Sequence, residues 1–294
     1  MQTLLATNKN DVALIVGNGI NRYNAPVGTN AWDAMLTSLA RKHINPGHAG
    51  IPAGVSPTEF YDVLDLAVVK AGIKPRLQAE FCNLMASWTP LPQHQYIVHW
   101  AQAHSVPILT TNFENTLGLT CSATLQRCGK DKFTAYYPWS TCYAVDPVAD
   151  PLKQFAIWHI NGMQRYRQSI RLGLSHYMGS VERARSWFQR SGTRLFGASN
   201  ITAWPGASTW LQIFLHKPLA FLGLNLGENE VFLRWLLIER ARYFHKFPAR
   251  SQPAWYIHAS PTLEPGRELF LRGVGVDPYP VPSYDSIYGA ATWT

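Results

Sequence analysis

The sequence has few cysteines and no long apolar segment. Its four cysteines, Cys82, Cys121, Cys128 and Cys142, include no C-x-x-C pair. Their spacing therefore indicates neither a zinc site nor a disulfide framework and favours reduced thiols. No window approaches the ~20 consecutive apolar residues that a membrane-spanning helix needs. These absences predict a cytoplasmic protein that has no metal site and no contact with a membrane.

Charged residues are also scarce, at 15% of the chain, and basic residues exceed acidic ones to give a formal net charge of +8. A positive balance suits an acidic or phosphate-bearing partner, whereas so few charges indicate that part of the surface is covered. The eleven tryptophans favour the same interpretation, because aromatic residues are enriched at the cores of interfaces. We expect an interface, although many tryptophans in a chain of this size are simply buried.

The chain is long enough, at 294 residues, to bury a sizeable core. Its most informative stretch is VALIVGNGIN at residues 12–21. A continuous run of apolar, β-branched residues is typical of a strand buried on both faces, and glycines at its end allow a sharp turn against a ligand. The stretch predicts the first strand and nucleotide-cradling turn of an α/β domain. The third glycine of a G-x-G-x-x-G fingerprint is missing, because Arg22 stands in its place.

The same pattern recurs four times along the chain. The apolar runs 106–109, 155–158, 219–222 and 254–257 end in the clusters TTNFE, HING, GLNLGE and HAS. In an open parallel sheet, ligands bind beyond the carboxyl ends of the strands. We therefore expect the five clusters to converge on one crevice of a Rossmann-like, mostly parallel sheet flanked by helices.

Helices are predicted between most of these strands. Asn30 is expected to cap a helix that runs to Ala40, and SPTE at 56–59 matches a capping box that opens a helix to about Ala71. Further helices are predicted at about 75–88, 93–104 and 230–245. We expect one domain over residues 1–294, with helical insertions at about 50–100 and 165–215. The tail from Pro278 is expected to be turn-rich, and its tyrosines are candidates to reach the crevice.

The second of these insertions is unusually basic. Only one acid, Glu182, accompanies seven arginines, which are Arg165, Arg167, Arg171, Arg183, Arg185, Arg190 and Arg194. A solvated basic face accounts for such a stretch, and so does a docking surface for a partner protein or a phosphate-rich ligand. Both interpretations stay open on the sequence alone.

Two polar residues at strand ends are candidates for chemistry. Asn112 is either an Asx turn or helix cap, or an amide that orients a water or a ribose hydroxyl, since it offers a donor and an acceptor at fixed separation. His159 is either a hydrogen-bonded structural residue or a general base, because a histidine pKa suits that work near neutrality. His94, His99 and His104 recur every five residues, which does not place them on one helical face, so a metal site there is not expected.

Taken in order, the clusters resemble the sirtuin superfamily and, within it, the bacterial sirtuin-like NADases of antiphage defence. The matching blocks are GNGIN at 17–21, TTNFE at 110–114, HING at 159–162 and GLNLGE at 223–228. The arginine motif of deacetylating sirtuins is not recognisable, since the region after the first glycines reads APVGTNAW. The cysteine pairs of the deacetylase zinc module are absent as well. The resemblance therefore implies the NAD-cleaving core rather than protein deacetylation.

The resemblance also implies roles for individual residues. Asn112 and His159 would be the catalytic residues, and the turn at 17–21 would hold the NAD diphosphate through backbone amides and the Asn21 side chain. The adenosine half would contact the turn at 223–228. The implied NAD-binding residues are Gly17, Asn18, Gly19, Asn21, Thr110, Thr111, Gly223, Asn225 and Glu228.

The function implied is hydrolysis of NAD to nicotinamide and ADP-ribose, without a metal, by an effector of bacterial antiphage defence. An unregulated enzyme of this kind would kill its host, so we expect a separate sensor subunit or oligomerisation to gate it. Two alternatives stay open: an ADP-ribosyltransferase that uses NAD as donor, and a non-catalytic module that binds NAD or ADP-ribose. Direct nucleic-acid binding through the positive charge is a weaker possibility.

Overall fold

The chain folds around one large β-sheet. The computed structural model describes residues 1–26, 30–73, 76–128, 137–189, 195–198, 200–227 and 230–294. The strands among them are β1 (Ala13–Val16), β2 (Ile108–Thr110), β3 (Thr124–Arg127), β4 (Thr141–Ala144), β5 (Ile157–His159), β6 (Leu219–Leu222), β7 (Ala254–His258) and β8 (Asp277–Pro280). They lie in the order β3-β4-β5-β2-β1-β6-β7-β8.

The five strands expected from the apolar runs are confirmed as β1, β2, β5, β6 and β7. Neighbours among them pair in parallel. Every residue of β1, β2, β5 and β6 is buried, because helices cover both faces of the sheet. That double burial is why these strands are continuous apolar runs rather than alternating patterns.

The direction in which the chain adds strands reverses between β1 and β6. The first half of the chain places β2 and then β5 on one side of β1, and the second half places β6, β7 and β8 on the other. This order, with the antiparallel pair β3–β4 added at one edge, is the doubly wound arrangement of Rossmann folds. The expected α/β class is confirmed. In such sheets a ligand crevice opens at the point of reversal, here beyond β1 and β6.

Helices form a layer on each face of the sheet. The described helices are α1 (Gln2–Asn8), α2 (Gly19–Arg22), α3 (Trp32–His43), α4 (Pro57–Lys70), α5 (Leu77–Leu84), α6 (Pro92–Ala103), α7 (Thr116–Leu119), α8 (Leu174–Gln189), α9 (Trp210–His216), α10 (Val231–Lys246), α11 (Pro265–Gly273) and α12 (Asp285–Tyr288). Helices α8, α9 and α10 share an apolar cluster with one face of β1 and β6. Helices α1, α6 and α12 pack on the opposite face.

The predicted capping box at the start of α4 is confirmed. The Glu59 amide donates to Ser56 Oγ at 3.2 Å, and the Ser56 amide donates to the Glu59 carboxylate at 2.9 Å. Helices α6 and α10 begin and end within about two residues of their predicted bounds, whereas α5 is shorter than predicted. The region 50–100 is helical, as expected. Its helices do not all stand apart from the sheet, because α6 belongs to the layer that covers it.

The prediction that Asn30 caps α3 is wrong. The cap position is occupied by Ala31, and Asn30 has a φ of 56°. Its side-chain amide instead donates to the Asn21 carbonyl at 3.1 Å, and its carbonyl accepts from Asn18 Nδ2 at 2.7 Å. Asn30 therefore joins the segment before α3 to the glycine turn.

Three strands, β3, β4 and β8, were not expected from the sequence, and β3 and β8 lie at the edges of the sheet. β3 has a half-exposed sequence, TLQR, and β8 contains two prolines. Proline is tolerated in an edge strand because one side of that strand needs no ladder hydrogen bonds. The tail is therefore a strand before it becomes turn-rich. Within the described ranges, no helix is long and apolar enough to cross a membrane.

Candidate functional site

The polar clusters meet because the strand ends are in register. Thr110, the last residue of β2, pairs with Val16 of β1 on one side and with His159 of β5 on the other. Val16 also pairs with Leu222, the last residue of β6. The clusters that follow these four strands therefore start at the same edge of the sheet, at the reversal point.

The glycine turn after β1 is hydrogen-bonded to the turn after β6. The Gly17 amide donates to the Leu222 carbonyl at 2.8 Å, and the Gly19 amide donates to the Gly223 carbonyl at 2.9 Å. Gly223 has a φ of 65°, which suits glycine. These amides hold the turns together and do not face a ligand, contrary to the expected contact between them and a diphosphate. The backbone amide of Asn18 has no hydrogen-bond partner among the described residues.

Asn112 and His159 are in direct contact. The His159 Nδ1–H group donates to the Asn112 carbonyl at 2.7 Å. The Asn112 side-chain amide donates to the Gly17 carbonyl at 3.4 Å, which ties it to the glycine turn. The remaining polar atoms, Asn112 Oδ1 and His159 Nε2, are buried and have no partner among the described residues. Unpaired buried acceptors are uncommon, so this pair is a candidate contact for a ligand.

Burial sets the protonation state of His159. The side chain is fully buried, and this burial lowers its pKa to about 4. The expectation of a pKa near neutrality is therefore wrong for the structure as it stands. Because Nδ1 carries the hydrogen that bonds to Asn112, Nε2 is the unprotonated nitrogen of a neutral ring. The ring of Tyr143 lies at its edge, with centroids 5.7 Å apart.

The side chain of Asn21 is occupied by neighbouring residues. Its amide group donates to Glu114 Oε1 at 2.8 Å and to Asn18 Oδ1 at 2.9 Å, and its oxygen accepts from His94 Nε2 at 3.0 Å. These contacts use both amide hydrogens and the oxygen, and the residue is 2% exposed. Asn21 is therefore not free to contact a diphosphate directly, as was expected. It instead orients the Asn18 side chain through its hydrogen bond to Asn18 Oδ1.

Two titratable groups on either side of Asn21 have shifted pKa values. Burial raises the pKa of Glu114 to about 7, partly offset by hydrogen bonds from Asn21 and Thr116. Burial lowers the pKa of His94 to about 4, and the Leu91 amide donates to its Nδ1 at 3.0 Å. His94 is thus a neutral donor at pH 7. The sequence did not predict this role for His94, which was considered there only as a metal ligand.

The two threonines before Asn112 fasten β2 to β1. Thr110 Oγ1 donates to the Val16 carbonyl at 2.9 Å and accepts from the Asn112 amide at 3.1 Å, and the Thr111 amide donates to the same Val16 carbonyl at 3.1 Å. Both residues are buried. These contacts position Asn112, and the predicted contact of the threonines with NAD stays a prediction.

The predicted adenosine contacts lie further out. Asn225 is exposed, two residues after Gly223. The hydroxyl of Tyr256 donates to the Leu224 carbonyl at 2.8 Å and so anchors this turn to β7. Glu228 lies outside the described residues.

A tyrosine from the tail covers the glycine turn, as the sequence suggested one would. A Cβ atom on Gly19 would lie 2.5 Å from the hydroxyl oxygen of Tyr288, and a Cβ atom on Gly223 would also collide with that oxygen. The Tyr288 side chain is 1% exposed, and its hydroxyl has no partner among the described residues. A cavity of about 620 Å³ lies beside it, lined by Gly19, Arg22 and Asp285 among others.

The expected contact surfaces are only partly present. All eleven tryptophans lie within the described residues, and each is buried or half-buried. Of the arginine-rich stretch, Arg165, Arg167, Arg183 and Arg185 are exposed, Arg171 is half-buried against Ser180 and the Tyr137 ring, and Arg190 and Arg194 lie outside the described residues. Exposed apolar side chains lie instead on α4, at Val63, Leu66 and Val69.

The described part of the chain contains no group of three or more histidine, cysteine or acidic residues that could hold a metal ion. Cys128 and Cys142, both free thiols, lie with their sulfurs 3.7 Å apart. A scan against models of known protein families found no match, and a search of curated proteins found none either.

Proposed function

We propose that this chain is an NAD+ glycohydrolase that cleaves the bond between nicotinamide and ribose, as the resemblance to sirtuin-like NADases implies. The observation that carries the proposal is the Asn112–His159 pair at the reversal point of the sheet. Each residue contributes one buried acceptor without a partner among the described residues, Asn112 Oδ1 and His159 Nε2. A polar ligand that enters the crevice beyond β1 and β6 would satisfy both.

The residues around this pair suit a dinucleotide. The backbone amide of Asn18 offers a donor for a diphosphate, and the glycines of the turn let a ligand approach the backbone closely, as in other Rossmann crevices. Glu114 and His94 hold the side chain of Asn21, and Asn21 in turn donates a hydrogen bond to Asn18 Oδ1. In the proposed site, Asn18 contacts the diphosphate, and Asn21 positions Asn18.

The proposed reaction needs little acid catalysis. Nicotinamide in NAD is a cationic leaving group, so the electron pair of the broken carbon–nitrogen bond neutralises its ring nitrogen. Water then adds to the ribose carbon and loses a proton. Asn112 Oδ1 would accept a hydrogen bond from that water or from a ribose hydroxyl. His159 Nε2 would accept the proton, directly or through the hydroxyl.

The low pKa of His159 limits its strength as a base in this structure. Burial disfavours the imidazolium ion, and the lowered pKa follows from that. The two negative charges of a bound diphosphate would favour the protonated ring and raise the pKa. We therefore propose that His159 becomes an effective base only when NAD is bound.

We also propose that a partner protein or further copies of the chain gate the activity, in line with a role in bacterial antiphage defence. The exposed arginines of the stretch 165–185 and the apolar residues Val63, Leu66 and Val69 of α4 are the candidate contact surfaces. Exposed apolar side chains grouped on one helix are typical of interaction sites.

A non-catalytic module that binds NAD or ADP-ribose is the second candidate. The complete burial of His159 and its pKa of about 4 favour it, because a neutral, enclosed imidazole is a weak base. The binding residues would be the same, and only turnover would be absent.

Product analysis distinguishes these functions. The purified chain is incubated with NAD, with and without the proteins encoded beside it, and the products are separated by chromatography. Glycohydrolase activity predicts equal amounts of free nicotinamide and free ADP-ribose. Label transferred to a protein or nucleic acid would indicate a transferase, and intact NAD under every condition would contradict the enzymatic proposal.

A further inference from the structure

Tyr288 occupies the space that a diphosphate would need at the glycine turn. Its hydroxyl oxygen rests against the α-carbons of Gly19 and Gly223, within the distance at which a Cβ atom on either would collide with it. These two residues line the crevice at the reversal point between β1 and β6. A tyrosine ring and a diphosphate cannot both occupy this surface.

The position of Tyr288 is unfavourable for a tyrosine with only a packing role. Its hydroxyl is buried without a partner among the described residues, although buried tyrosine hydroxyls usually find one. The packing of the ring is good, since Tyr288 is 1% exposed and its ring centroid lies 5.0 Å from that of Tyr23. The segment thus combines a favourable ring contact with an unsatisfied hydroxyl.

Tyr288 also lines two neighbouring cavities. A cavity of about 620 Å³ lies towards Arg22 and Asp285, and another of about 590 Å³ lies towards Leu91 and Gln93. Both are lined by Tyr288 and by residues 23–26. Movement of this side chain would join them into a continuous groove that passes the glycine turn.

Both packing and hydrogen bonds hold the segment that carries Tyr288, since Ile287 and Tyr288 belong to the buried cluster on this face of the sheet. The Tyr23 hydroxyl donates to the Asp285 carboxylate at an exposed position. On the other side, the indole of Trp293 donates to the Ile287 carbonyl at 2.8 Å and packs edge-on against Trp100. Outward movement of Tyr288 would therefore break the Tyr23–Asp285 hydrogen bond and withdraw the ring from the cluster, while the Trp293 contacts could be kept.

We propose that Tyr288 is the gate of the nucleotide crevice: with its hydroxyl against Gly19 and Gly223 the site is closed, and a dinucleotide binds only after the segment 284–289 moves outward. The identity of the dinucleotide rests on the proposed function. The gate itself rests on the contacts of Tyr288. A partner that binds near residues 283–290 could therefore open or close the crevice by moving this segment.

The test measures binding of ADP-ribose, which is not turned over, by isothermal titration calorimetry. Affinity falls in proportion to the fraction of molecules in the open state, so Tyr288→Ala should bind at least about 10-fold more tightly than the wild type. Tyr288→Phe keeps the ring but removes the oxygen that contacts Gly19 and Gly223, so its gain in affinity should be smaller than that of Tyr288→Ala. Equal or weaker binding by Tyr288→Ala would overturn the gate.

A second variant keeps the test decisive if Tyr288→Ala does not fold. Tyr23→Phe removes only the hydroxyl that bonds to Asp285 and should raise affinity by about 3-fold, since it weakens one contact of the closed segment. Unchanged affinity of Tyr23→Phe together with a misfolded Tyr288→Ala would also overturn the gate. Tyr279→Ala, on β8 and away from both cavities, is the matched control and should leave affinity unchanged.

The same samples separate this inference from the proposed function. Tight binding by Tyr288→Ala without nicotinamide release from NAD would support the gate and contradict hydrolysis. Nicotinamide release with equal ADP-ribose affinity in the wild type and Tyr288→Ala would support hydrolysis and overturn the gate. If none of the folded variants bound ADP-ribose, both would fail.

Discussion

At the scale of single residues, the site depends on which polar atoms are already engaged. Asn21 is fully hydrogen-bonded, whereas Asn112 and His159 each retain one acceptor without a partner among the described residues. The sequence could place Asn112 and His159 at strand ends but could not show that Asn21 is occupied. Its partners, His94 and Glu114, lie 73 and 93 residues away along the chain. Pairs so distant are decided by packing, which no local pattern encodes.

Glu114 makes the stability of the protein depend on pH. Its pKa is raised to about 7 by burial, against an ordinary value near 4.3 in an unfolded chain. The folded state therefore binds the proton more tightly, and stability falls as pH rises from about 4.5 to about 7. Glu114→Gln cannot titrate, so its stability relative to the wild type should increase across this window, by at most about 1.4 kcal/mol for each step of one in pH.

Urea unfolding of both proteins at pH 5 and pH 8 checks this expectation. Glu182→Gln, which removes an exposed carboxylate on α8, is the control for loss of charge alone. A difference in unfolding free energy between Glu114→Gln and wild type that stays the same at both pH values would show that Glu114 is not buried as described.

At the scale of elements, the buried strands were predictable and the edges were not. The runs that became β1, β2, β5, β6 and β7 are apolar because both faces of the sheet are covered. β3 and β8 lie at the two edges, where a half-exposed or proline-containing sequence carries little strand signal. The capping box of α4 was found because its contacts span only three residues.

The contact between α12 and the two glycine turns gives a prediction about packing. An alanine at Gly223 would meet the Tyr288 hydroxyl and adopt a φ of 65°. Gly223→Ala should therefore cost about 2 kcal/mol of unfolding free energy. The cost should be smaller in a Tyr288→Phe background, because the nearest atom is then gone.

Gly72→Ala separates the steric part from the backbone part. Gly72 has a φ of 72°, and no atom lies within 4 Å of the position that a Cβ atom would take there. Its substitution therefore measures backbone strain alone, about 1 kcal/mol. Equal costs for Gly223→Ala in the wild-type and Tyr288→Phe backgrounds would mean that Tyr288 does not press on this turn.

At the scale of the whole molecule, the order of the strands decides where the site lies. The four motif blocks are spread over more than 200 residues. The parallel register nevertheless brings them to the ends of four neighbouring strands, β5, β2, β1 and β6. That convergence could be inferred from the sequence, because each block follows a buried strand. The cover provided by Tyr288 could only be suggested, since the tail has no pattern that fixes where it packs.

The proposed gating predicts how the isolated chain behaves. Native mass spectrometry should show an assembly of several copies if oligomerisation gates the activity. If a partner protein gates it, the chain should be a monomer, and a separate assay should show slow nicotinamide release until the proteins encoded beside it are added. Leu66→Lys on α4 should weaken an assembly if that helix forms the interface, since it places a charge in the exposed apolar group. A stable monomer with full activity on its own would contradict external gating.

The most direct test of the proposed function is the turnover of NAD by variants of the central pair. Asn112→Ala and His159→Gln should each lower the rate of nicotinamide release at least about 100-fold, a larger loss than either variant causes in ADP-ribose affinity. The exposed residues Asn83 and His99 provide matched controls as Asn83→Ala and His99→Gln.

The measurement is made in the wild type and in the Tyr288→Ala background, so that a closed crevice cannot mask activity. We predict that both control variants release nicotinamide at the parent rate and that both central variants do not. Release at the parent rate by either Asn112→Ala or His159→Gln would contradict the catalytic assignment.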